Sequence, residues 1–414
     1  MTGLPRVSVI IVSRYRPGDL QRCVAGVAQQ DHPGIELVVV ADSEGLAVAQ
    51  ASAPGPIKTA LYDKSNISAA RNIGLALAAG EVVAFIDDDA VPEPTWASRL
   101  ATVFADHAVA AAGGFVRGRN GISLQWRAQS VNRQGQACPL ETDPVLASLH
   151  QGQPGHAIKT EGTNMAFRRA LLAEVGGFDP ALRFYLDETE LDLRLAARAA
   201  VTAIVPLAQV HHGYAASDRR RSDRVPLSLA EIGASTSVVL ARHAPPETHA
   251  SAVAALRVEQ RARLLRLLVA GRIEPRDVRR LMRTLDQGIA EGRKRPLSPL
   301  APLRTGPPAF LPLPGTGRRA GLCLYGWSWQ RAALRRAAVA AGPHAHVITI
   351  MCFSPTALFH RMRFHSDGFW EQTGGIFGRS DRDQPLFQAT RLRFRVQREC
   401  ARLASLRPVG EVGC

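Results

Sequence analysis

Three consecutive aspartates, Asp87, Asp88 and Asp89, stand directly after a short apolar run at residues 82–86. Adjacent carboxylates repel one another unless a cation neutralises them. Hard divalent ions such as Mg²⁺ and Mn²⁺ prefer oxygen ligands, retain waters and often complete their coordination with substrate phosphates. An isolated run of aspartates is more often a solvated acidic turn. The strand-like run before it and the Pro-Glu-Pro turn at 92–94 favour a site for a divalent ion and a phosphorylated substrate.

Two further groups of residues carry side chains suited to chemistry. Asp187 and Glu188 begin a predicted helix, where acids usually compensate the helix dipole. A carboxylate that stays ionised beside an attacking hydroxyl instead acts as a general base. His211 and His212 follow an apolar segment, and paired histidines there are surface or core residues unless the fold brings them near Asp89. The residues by themselves leave these alternatives open.

Buried strands and helices must position these side chains. Residues 7–12, 37–40 and 82–86 are continuous apolar runs, and helical spacing of apolar residues separates the first two. Such alternation is typical of βαβ units in a parallel sheet. In open α/β sheets ligands bind at the carboxyl ends of the strands. Acids stand at two of these ends, Asp42 after the second run and Asp87 after the third, so we expect the site at this edge of an α/β domain.

The rest of the chain is interpreted from changes in composition and periodicity. Residues 113–160 have weak periodicity and are interpreted as an irregular stretch with one short helix. The pattern predicts a α/β domain over 1–225, a helical basic segment over 226–295, a Pro/Gly-rich linker over 296–320 and a small α/β unit over 321–414. The role of the last unit is not indicated by any motif.

Length and composition limit the class of protein. A chain of 414 residues exceeds one ordinary core, so two or three domains are expected. Apolar residues make up 46% and charged residues 21%, which excludes long-range disorder and collagen-like repeats. We find no run of about 18 apolar residues and no signal-peptide pattern, so we expect no membrane span. The six scattered cysteines form no CxxC pair, which favours a reducing cytoplasm.

The formal net charge of +15 is unevenly distributed along the chain. Residues 1–225 carry 22 Lys and Arg against 23 Asp and Glu, whereas residues 226–414 carry 29 against 13. This asymmetry suggests an anionic partner for the second part, which is nucleic acid, a membrane surface or a phosphorylated substrate. The alternative is compositional drift in an Arg-rich chain. We find no helix-turn-helix, zinc-finger or RRM signature that would favour nucleic acid.

Short motifs follow one another between residues 7 and 212. They are VSVIIVSRYR at 7–16, ELVVVAD at 36–42, SAARNIG at 68–74, FIDDD at 85–89, GTNMAFR at 162–168 with GGFD at 176–179, and DETELDLR at 187–194. In type and order they resemble the family 2 glycosyltransferases, which have the GT-A fold. The resemblance covers about half of the chain and implies a Rossmann-like, mostly parallel sheet. It ends near residue 215.

The resemblance implies a metal and a nucleotide at the ends of the strands. Asp89 stands where the family has its metal ligand, and His211 or His212 stands where the family often has a metal-contacting histidine. The implied cofactor is Mn²⁺ or Mg²⁺. Residue 41 is alanine where the family usually has the first of two aspartates, so Asp42 alone remains for base recognition. The residues implied to bind the donor nucleotide are Asp42, Arg71, Asp87 and Asp88.

On the acceptor side, the resemblance places Asn164 and an acidic pair. The family usually has Glu followed by Asp, whereas this chain has Asp187 followed by Glu188. Glu188 occupies the position that is more often the general base, so we prefer it to Asp187 for that role. The reversed order leaves both residues as candidates.

Together these inferences predict a glycosyltransferase of the hexosyltransferase type. It would move a sugar from a nucleoside diphosphate donor to a hydroxyl of a glycan or lipid-linked acceptor, by inverting displacement, in the synthesis of cell-envelope or extracellular polysaccharide. A sugar-phosphate nucleotidyltransferase is one alternative, but its usual Gly-rich N-terminal loop is absent from residues 12–16. A non-catalytic nucleic-acid-binding protein is the other, suggested by charge alone.

The basic second part of the chain predicts where the enzyme works. Nucleic acid is not expected as a partner, and drift would have spread cations over the whole chain. Basic residues near an anionic leaflet contribute about 1 kcal/mol each, and an amphipathic stretch around 256–269 adds an apolar contribution. We therefore predict a cytoplasmic protein bound peripherally to the inner face of the membrane through residues 226–414.

Overall fold

The computed structural model describes residues 3–213, 216–303, 306, 308–342 and 345–413. Cys414 lies outside these ranges, and the other five cysteines are free thiols. The described residues build an α/β domain, a layer of three long helices, an extended strap and a second, smaller α/β unit.

The N-terminal domain is organised around one sheet. Its strands are β1 (Val7–Val12), β2 (Ile35–Ala41), β3 (Lys58–Leu61), β4 (Val82–Asp87), β5 (Ala90–Pro92), β6 (Val109–Arg117), β7 (Leu124–Trp126), β10 (Ser148–Gln151), β12 (Met165–Arg168) and β13 (Val201–His212). The main path of the sheet runs β10-β13-β6-β12-β4-β1-β2-β3, with β5 paired to β13 and β7 to β6. The pairs among β1 to β4 are parallel, as is β6 with β13, whereas β12 is antiparallel to both its neighbours.

Helices cover this sheet and explain its composition. They are α1 (Pro17–Val27), α2 (Ser43–Ser52), α3 (Ile67–Leu77), α4 (Trp96–Val103), α5 (Arg169–Glu174) and α6 (Asp187–Ala197). Strands β1, β2 and β4 are buried almost throughout, and strands covered on both faces must be continuously apolar. Close packing needs a glycine in α3, because a Cβ on Gly74 would lie 2.5 Å from Cγ2 of Ile10.

The expectation of an irregular stretch with one short helix at 113–160 is wrong. These residues form the end of β6, then β7 and β10, together with the strands β8 (Gln129–Asn132), β9 (Ala137–Pro139) and β11 (His156–Lys159), and all of them are described without a helix. Strands β11, β8 and β9 make a small antiparallel sheet. Strands of three or four residues are too short for their alternation to be visible in a sequence.

The helical segment packs onto the N-terminal domain. Its helices are α7 (Ala230–His243), α8 (His249–Val269) and α9 (Pro275–Gly292). Val238 and Val239 of α7 share an apolar cluster with Leu186 and Leu193 of the domain. The segment is therefore part of the folded body around the site rather than a separate appendage.

The segment predicted to be a linker lies along the N-terminal domain as a strap. The backbone N–H of Leu311 donates to Oε2 of Glu36 at 3.0 Å, and that of Leu313 donates to the carbonyl of Ile35 at 2.7 Å. The side chain of Leu313 is buried in the core of the domain. These bonds hold the strap against the domain.

The C-terminal unit has its own sheet in the order β16-β17-β15-β14-β18. Its strands are β14 (Ala320–Trp327), β15 (His346–Ser354), β16 (Arg361–Phe364), β17 (Trp370–Gly375) and β18 (Glu411–Gly413), and its helices are α10 (Arg331–Ala340) and α11 (Leu392–Leu403). The unit contacts the N-terminal domain through a shared apolar cluster that includes Val91 and Ile122. The predicted fold class, an α/β domain with a mostly parallel sheet followed by helices and a small α/β unit, is confirmed.

Candidate active site

Two of the three aspartates after β4 lie close to a histidine at the end of β13. Ligand atoms of Asp87, Asp89 and His212 lie within 4.8 Å of one another, and Nε2 of His212 is 3.2 Å from Oδ1 of Asp89. The antiparallel pairing of β5 with β13 sets His212 opposite Ala90. Two carboxylates and one imidazole are ligands that suit Mn²⁺ and similar divalent ions. These three residues, the metal-ligand group, therefore fit a divalent cation.

Arginines lie against the same acids. Nη1 of Arg16 is 3.4 Å and Nη2 of Arg220 is 3.3 Å from Oδ2 of Asp89, whose side chain is nearly buried. Both guanidinium groups are partly exposed. They supply positive charge beside the metal-ligand group, where a diphosphate would bring negative charge.

Asp88 turns away from this group into the protein. It is fully buried, accepts a hydrogen bond from Oγ of Ser13 at 2.6 Å, and pairs with Nη2 of Arg16 at 2.6 Å. Burial raises the pKa of Asp88 to about 8, although the neighbouring Arg16 opposes the shift. The residue holds the loop after β1 in place.

Arg71 joins two of the acidic groups. Its buried guanidinium donates to Oδ1 of Asp87 at 3.3 Å, to the carbonyl of Gly162 at 3.0 Å, and to Asp187. Burial raises the pKa of Asp187 to about 7, and Arg71 opposes that shift. Arg71, predicted to hold the nucleotide, thus contacts the acidic start of α6.

Glu188 faces a cavity of about 680 Å³. Its side chain is 14% exposed, against 4% for Asp187, and its Oε1 lies 3.9 Å from Nζ of Lys159. Tyr185 and Leu186, directly before α6, have φ of 73° and 63°. Such left-handed conformations cost about 1–3 kcal/mol each and are typical of functional sites. They aim the first turn of α6 at the cavity.

Other elements complete the wall of this cavity. Trp126 of β7 lines it and stacks on the ring of His212 at 5.6 Å between centroids. Helix α8 closes one side with Leu256 and Glu259. The sequence did not indicate that Trp126 or α8 lines the site, because neither belongs to the motifs between residues 7 and 212 that resemble the family.

A second cavity of about 380 Å³ lies beside the loop after β1. Its lining includes Tyr15, Lys64, Phe184 and Arg219, and the guanidinium of Arg219 stands 4.2 Å above the ring of Phe184. Aromatic and cationic groups together suit a nucleoside with phosphates. These residues were not predicted individually, although the Arg-Tyr-Arg loop at 14–16 was part of the first motif.

The carboxylate of Asp42 accepts hydrogen bonds from backbone N–H groups. It caps α2 by accepting from the N–H of Gly45 at 3.1 Å, and it accepts from the N–H of Tyr15 at 2.7 Å. Burial acts to raise the pKa of Asp42, but the hydrogen bonds from backbone amides outweigh it and lower the pKa. The structure therefore places Asp42 behind Tyr15, which lines the second cavity.

Two of the predicted site residues, Asn164 and His211, lie outside the metal-ligand group. Asn164 is fully buried, donates to the carbonyls of Phe115 and Ala208, and accepts from Nε1 of Trp96 at 2.7 Å. His211 points to the opposite face of β13 from His212, with Nε2 at 2.7 Å from Oε1 of Glu93. The structure brings together Asp87, Asp89 and His212 at the metal-ligand group, and Asp187 and Glu188 at the first cavity.

Comparison with known proteins matches the part of the chain that contains Asp87 and Asp89. Residues 8–176 match the family described as Glycosyl transferase family 2. The chain is 29% identical over 184 residues to a glucosyl-dolichyl phosphate glucuronosyltransferase of Haloferax volcanii, which covers 42% of this chain and 56% of that protein. It is 35% identical over 105 residues to an uncharacterized glycosyltransferase of Nostoc sp., covering 24% and 33%. The match thus spans about half or less of each relative's length.

Among solved structures, one similar chain is GalNAc-T7 with UDP, GalNAc and Mn²⁺. The TM-score is 0.45 at 17% identity, over 58% of this chain and 48% of that one. Within the described ranges of this chain, we find no helix long and apolar enough to cross a membrane.

Proposed function

We propose that this chain, whose residues 8–176 match Glycosyl transferase family 2, transfers a hexosyl group from a nucleoside diphosphate sugar to an acceptor hydroxyl, with inversion and with Mn²⁺ or Mg²⁺. One observation carries the proposal. Asp87 of the metal-ligand group lines the cavity that also holds the acids of α6, and Arg16, which pairs with Asp89, lines the cavity with aromatic and cationic walls. Donor nucleotide and acceptor would occupy these two cavities.

The chain's own residues divide the reaction between them. The acceptor oxygen forms a bond to the anomeric carbon while the bond from that carbon to the diphosphate breaks, and the nucleoside diphosphate leaves with the electron pair. Asp89 and His212 would hold a divalent cation, which would supply positive charge for the departing diphosphate. Arg16 and Arg220 stand where they can pair with the phosphates. Glu188 takes the acceptor proton.

Glu188 is preferred to Asp187 as the base because of what each contacts. Asp187 is almost fully buried and held by Arg71, so an acceptor hydroxyl has little access to it. Glu188 is more exposed, and its partners are looser: Oε1 lies 3.9 Å from Nζ of Lys159 and accepts from Oγ1 of Thr189 at 3.4 Å. A general base must reach the hydroxyl within hydrogen-bond distance.

A donor screen tests the proposal. The purified full chain is incubated with UDP-, GDP- and dTDP-sugars, with Mn²⁺, with Mg²⁺ or with excess EDTA, and release of the nucleoside diphosphate is measured. We expect release with one nucleotide class, dependent on the metal and retained in the control variant Arg336→Glu, an exposed change in the C-terminal unit. Full turnover in EDTA contradicts the metal assignment, and release of pyrophosphate from a nucleoside triphosphate and a sugar phosphate would instead favour the nucleotidyltransferase alternative.

The acceptor that we propose is a lipid-linked glycan at an anionic membrane surface, in cell-envelope or extracellular glycan synthesis. Helix α8 lines the acceptor cavity with Leu256. Its outer face exposes Val258, Leu265 and Val269, at 71%, 42% and 89%, which share one side by helical spacing. Arg261 and Arg266 are exposed on the same helix. The Haloferax volcanii relative, whose name includes glucosyl-dolichyl phosphate, supports this acceptor class.

Vesicle flotation tests the membrane contact. The full chain should float with anionic vesicles at low salt and be released at high salt, because salt screens exposed charges. A double change, Arg261→Glu with Arg266→Glu, should reduce flotation strongly, whereas Arg336→Glu on α10 should not. Equal flotation of both variants, or none for the unchanged chain, contradicts a cytoplasmic enzyme bound to the inner leaflet through α8.

A further inference from the structure

A buried ion pair joins the C-terminal unit to the N-terminal domain close to the metal-ligand group. Arg407 and Glu93, 314 positions apart, are both fully buried. The guanidinium donates to both carboxylate oxygens, with 2.8 Å from Nε to Oε2. A two-pronged pair of this kind constrains orientation as well as distance.

The same pair holds His211 of β13. Oε1 of Glu93 contacts Nε2 of His211 at 2.7 Å. Trp370 of the C-terminal unit packs against both His211 and Arg407. The centre of its ring lies 4.8 Å from that of the His211 ring and 3.6 Å from the guanidinium carbon of Arg407. Burial acts to raise the pKa of Glu93, but Arg407 and His211 outweigh it and hold the pKa at about 2. The pair therefore stays charged at any working pH.

Strand geometry connects His211 to the metal-ligand group. Neighbouring residues of a strand point to opposite faces, so His212 faces Asp89 while His211 faces the C-terminal unit. Pairing of β5 with β13 sets these residues opposite Ala90 and Val91, and the N–H of Gly213 donates to the carbonyl of Asp89 at 2.7 Å. A shift of His211 would therefore rotate or move His212.

The C-terminal unit also borders the metal-ligand group directly. A cavity of about 250 Å³ is lined by Asp89, His211 and His212 together with Met362, Arg363 and Phe364 of β16. A buried ion pair is weak evidence for stability, since removing two charges from water offsets their attraction. Its value here lies in orientation, because partners outside the ligand shell tune metal binding by holding the ligands.

We propose that the C-terminal unit is a positioning element of the metal centre, in which Arg407, through Glu93 and His211, holds His212 in its ligating orientation. The inference rests on the proposed metal-dependent function and gives the unmatched C-terminal unit a part in it. Arg407 is a positioning residue, because it touches neither the donor nor the acceptor cavity lining.

Binding of Mn²⁺ by the full chain is measured from the electron paramagnetic resonance signal of the Mn²⁺ that remains free. Arg407→Lys keeps the charge but loses the two-pronged contact, and should raise the dissociation constant for Mn²⁺ by about tenfold or more. The double variant Glu93→Gln with Arg407→Met removes both charges at similar volume, so that no buried charge is left unpaired. It should remain folded by thermal unfolding and show at least the same loss.

A matched control comes from the same interface. Arg99 of α4 donates to the carbonyl of Ser405 and to Oγ1 of Thr95, and it is not a partner of Glu93 or His211 in these bonds, so Arg99→Met should change stability slightly and leave the Mn²⁺ dissociation constant unchanged. Unchanged Mn²⁺ affinity in a folded Arg407→Lys or double variant overturns the inference. Equal weakening by Arg99→Met overturns it too, because the interface would then act only as general support.

Mn²⁺ binding by the unchanged chain and by Asp89→Asn distinguishes a failure of the positioning role of Arg407 from a failure of the proposed function. Mn²⁺ binding that is lost in Asp89→Asn but unaffected by the Arg407 variants leaves the metal site standing and refutes only the positioning role. Absence of Mn²⁺ binding by the unchanged chain refutes both.

Discussion

Two mostly parallel sheets in this protein each have a cavity at the carboxyl ends of their strands, and their chemistry differs. In the N-terminal domain, a cavity of about 680 Å³ lies at the end of β4 and one of about 380 Å³ at the end of β1. In the C-terminal unit, a cavity of about 740 Å³ lies at the ends of β14, β15 and β17, with Ser328, Ser354 and Arg361 among its walls. The position in the fold is the same in both, so position alone does not make an active site.

The pKa values of the buried acids differ between the two regions. Burial raises the pKa of Asp187 to about 7 and that of Asp88 to about 8, because the neighbouring arginines only partly compensate. In the C-terminal unit burial also acts against the charge of Glu371, but Arg331 and Arg335 hold its pKa at about 2. The two N-terminal acids are therefore only partly compensated by the cations beside them, whereas the two arginines outweigh the effect of burial at Glu371.

The largest expected effect is at the proposed base. Glu188→Gln keeps the shape of the side chain and removes its ability to accept a proton, so turnover should fall by about 10²–10⁴-fold. The affinity for the donor nucleotide should stay nearly unchanged. Steady-state rates with saturating acceptor measure the first quantity, and donor titration the second. A larger loss in Asp187→Asn would move the base to Asp187.

Removal of a metal ligand should have the next largest effect. Asp89→Asn should lower turnover by about 10²–10³-fold, the loss typical when one group that stabilises developing charge is removed. Asparagine preserves the volume of this nearly buried side chain, so circular dichroism should remain unchanged. Activity near that of the unchanged chain would show that Asp89 does not bind the cation.

The contrast in acids also predicts a pH dependence of stability. Asp192 is buried, and burial raises its pKa to about 8 despite hydrogen bonds from Thr160. The ordinary pKa of aspartate is about 3.9. Between these values the folded state binds more protons than the unfolded state, so the free energy of unfolding should fall as pH rises from about 4 to about 8, by up to about 1.4 kcal/mol per pH unit. Urea unfolding across this range measures it.

Asp192→Asn provides the comparison for that measurement. It removes the titrating group at similar volume, so its free energy of unfolding should vary less with pH than that of the unchanged chain. Parallel curves for the two proteins would mean that Asp192 is ionised in the folded state.

The smallest effect is expected in the C-terminal unit. Glu371→Gln removes the ion pairs with Arg331 and Arg335, but both arginines are substantially exposed, so the free energy of unfolding should fall by about 1 kcal/mol or less. Sugar transfer should be unchanged. A loss of activity comparable to that of Glu188→Gln would mean that the two regions are more alike than the state of their acids indicates.

Local patterns were enough to predict the centre of the N-terminal sheet. The apolar runs of β1, β2 and β4 are continuous because these strands are buried on both faces. The acids that follow β4 and begin α6 were found for the same reason, since strand and helix ends are recognisable in a sequence. The short antiparallel strands between residues 113 and 160 were missed, because their pairing depends on neighbours elsewhere in the chain.

The roles of several predicted residues depended on distant partners. Asn164, predicted on the acceptor side, has its amide bonded to Trp96 and two carbonyls inside the sheet. Arg71, predicted at the nucleotide, contacts Asp87 and Asp187. A side chain of given type can make either set of contacts, and only the packing of separate strands decides between them.

The sequence by itself determined which residues can ligate a metal, accept a proton and stand at the edge of a parallel sheet, because those properties reside in residue type and local spacing. Only the tertiary structure decided that His212 faces Asp89 while His211 faces Glu93 and Trp370. Alternation along a strand makes one of the two histidines face the site, but the register of β13 against β5 selects which one. That register, and the contact of Arg407 with Glu93, join residues more than a hundred positions apart, so no local pattern in the sequence indicates them.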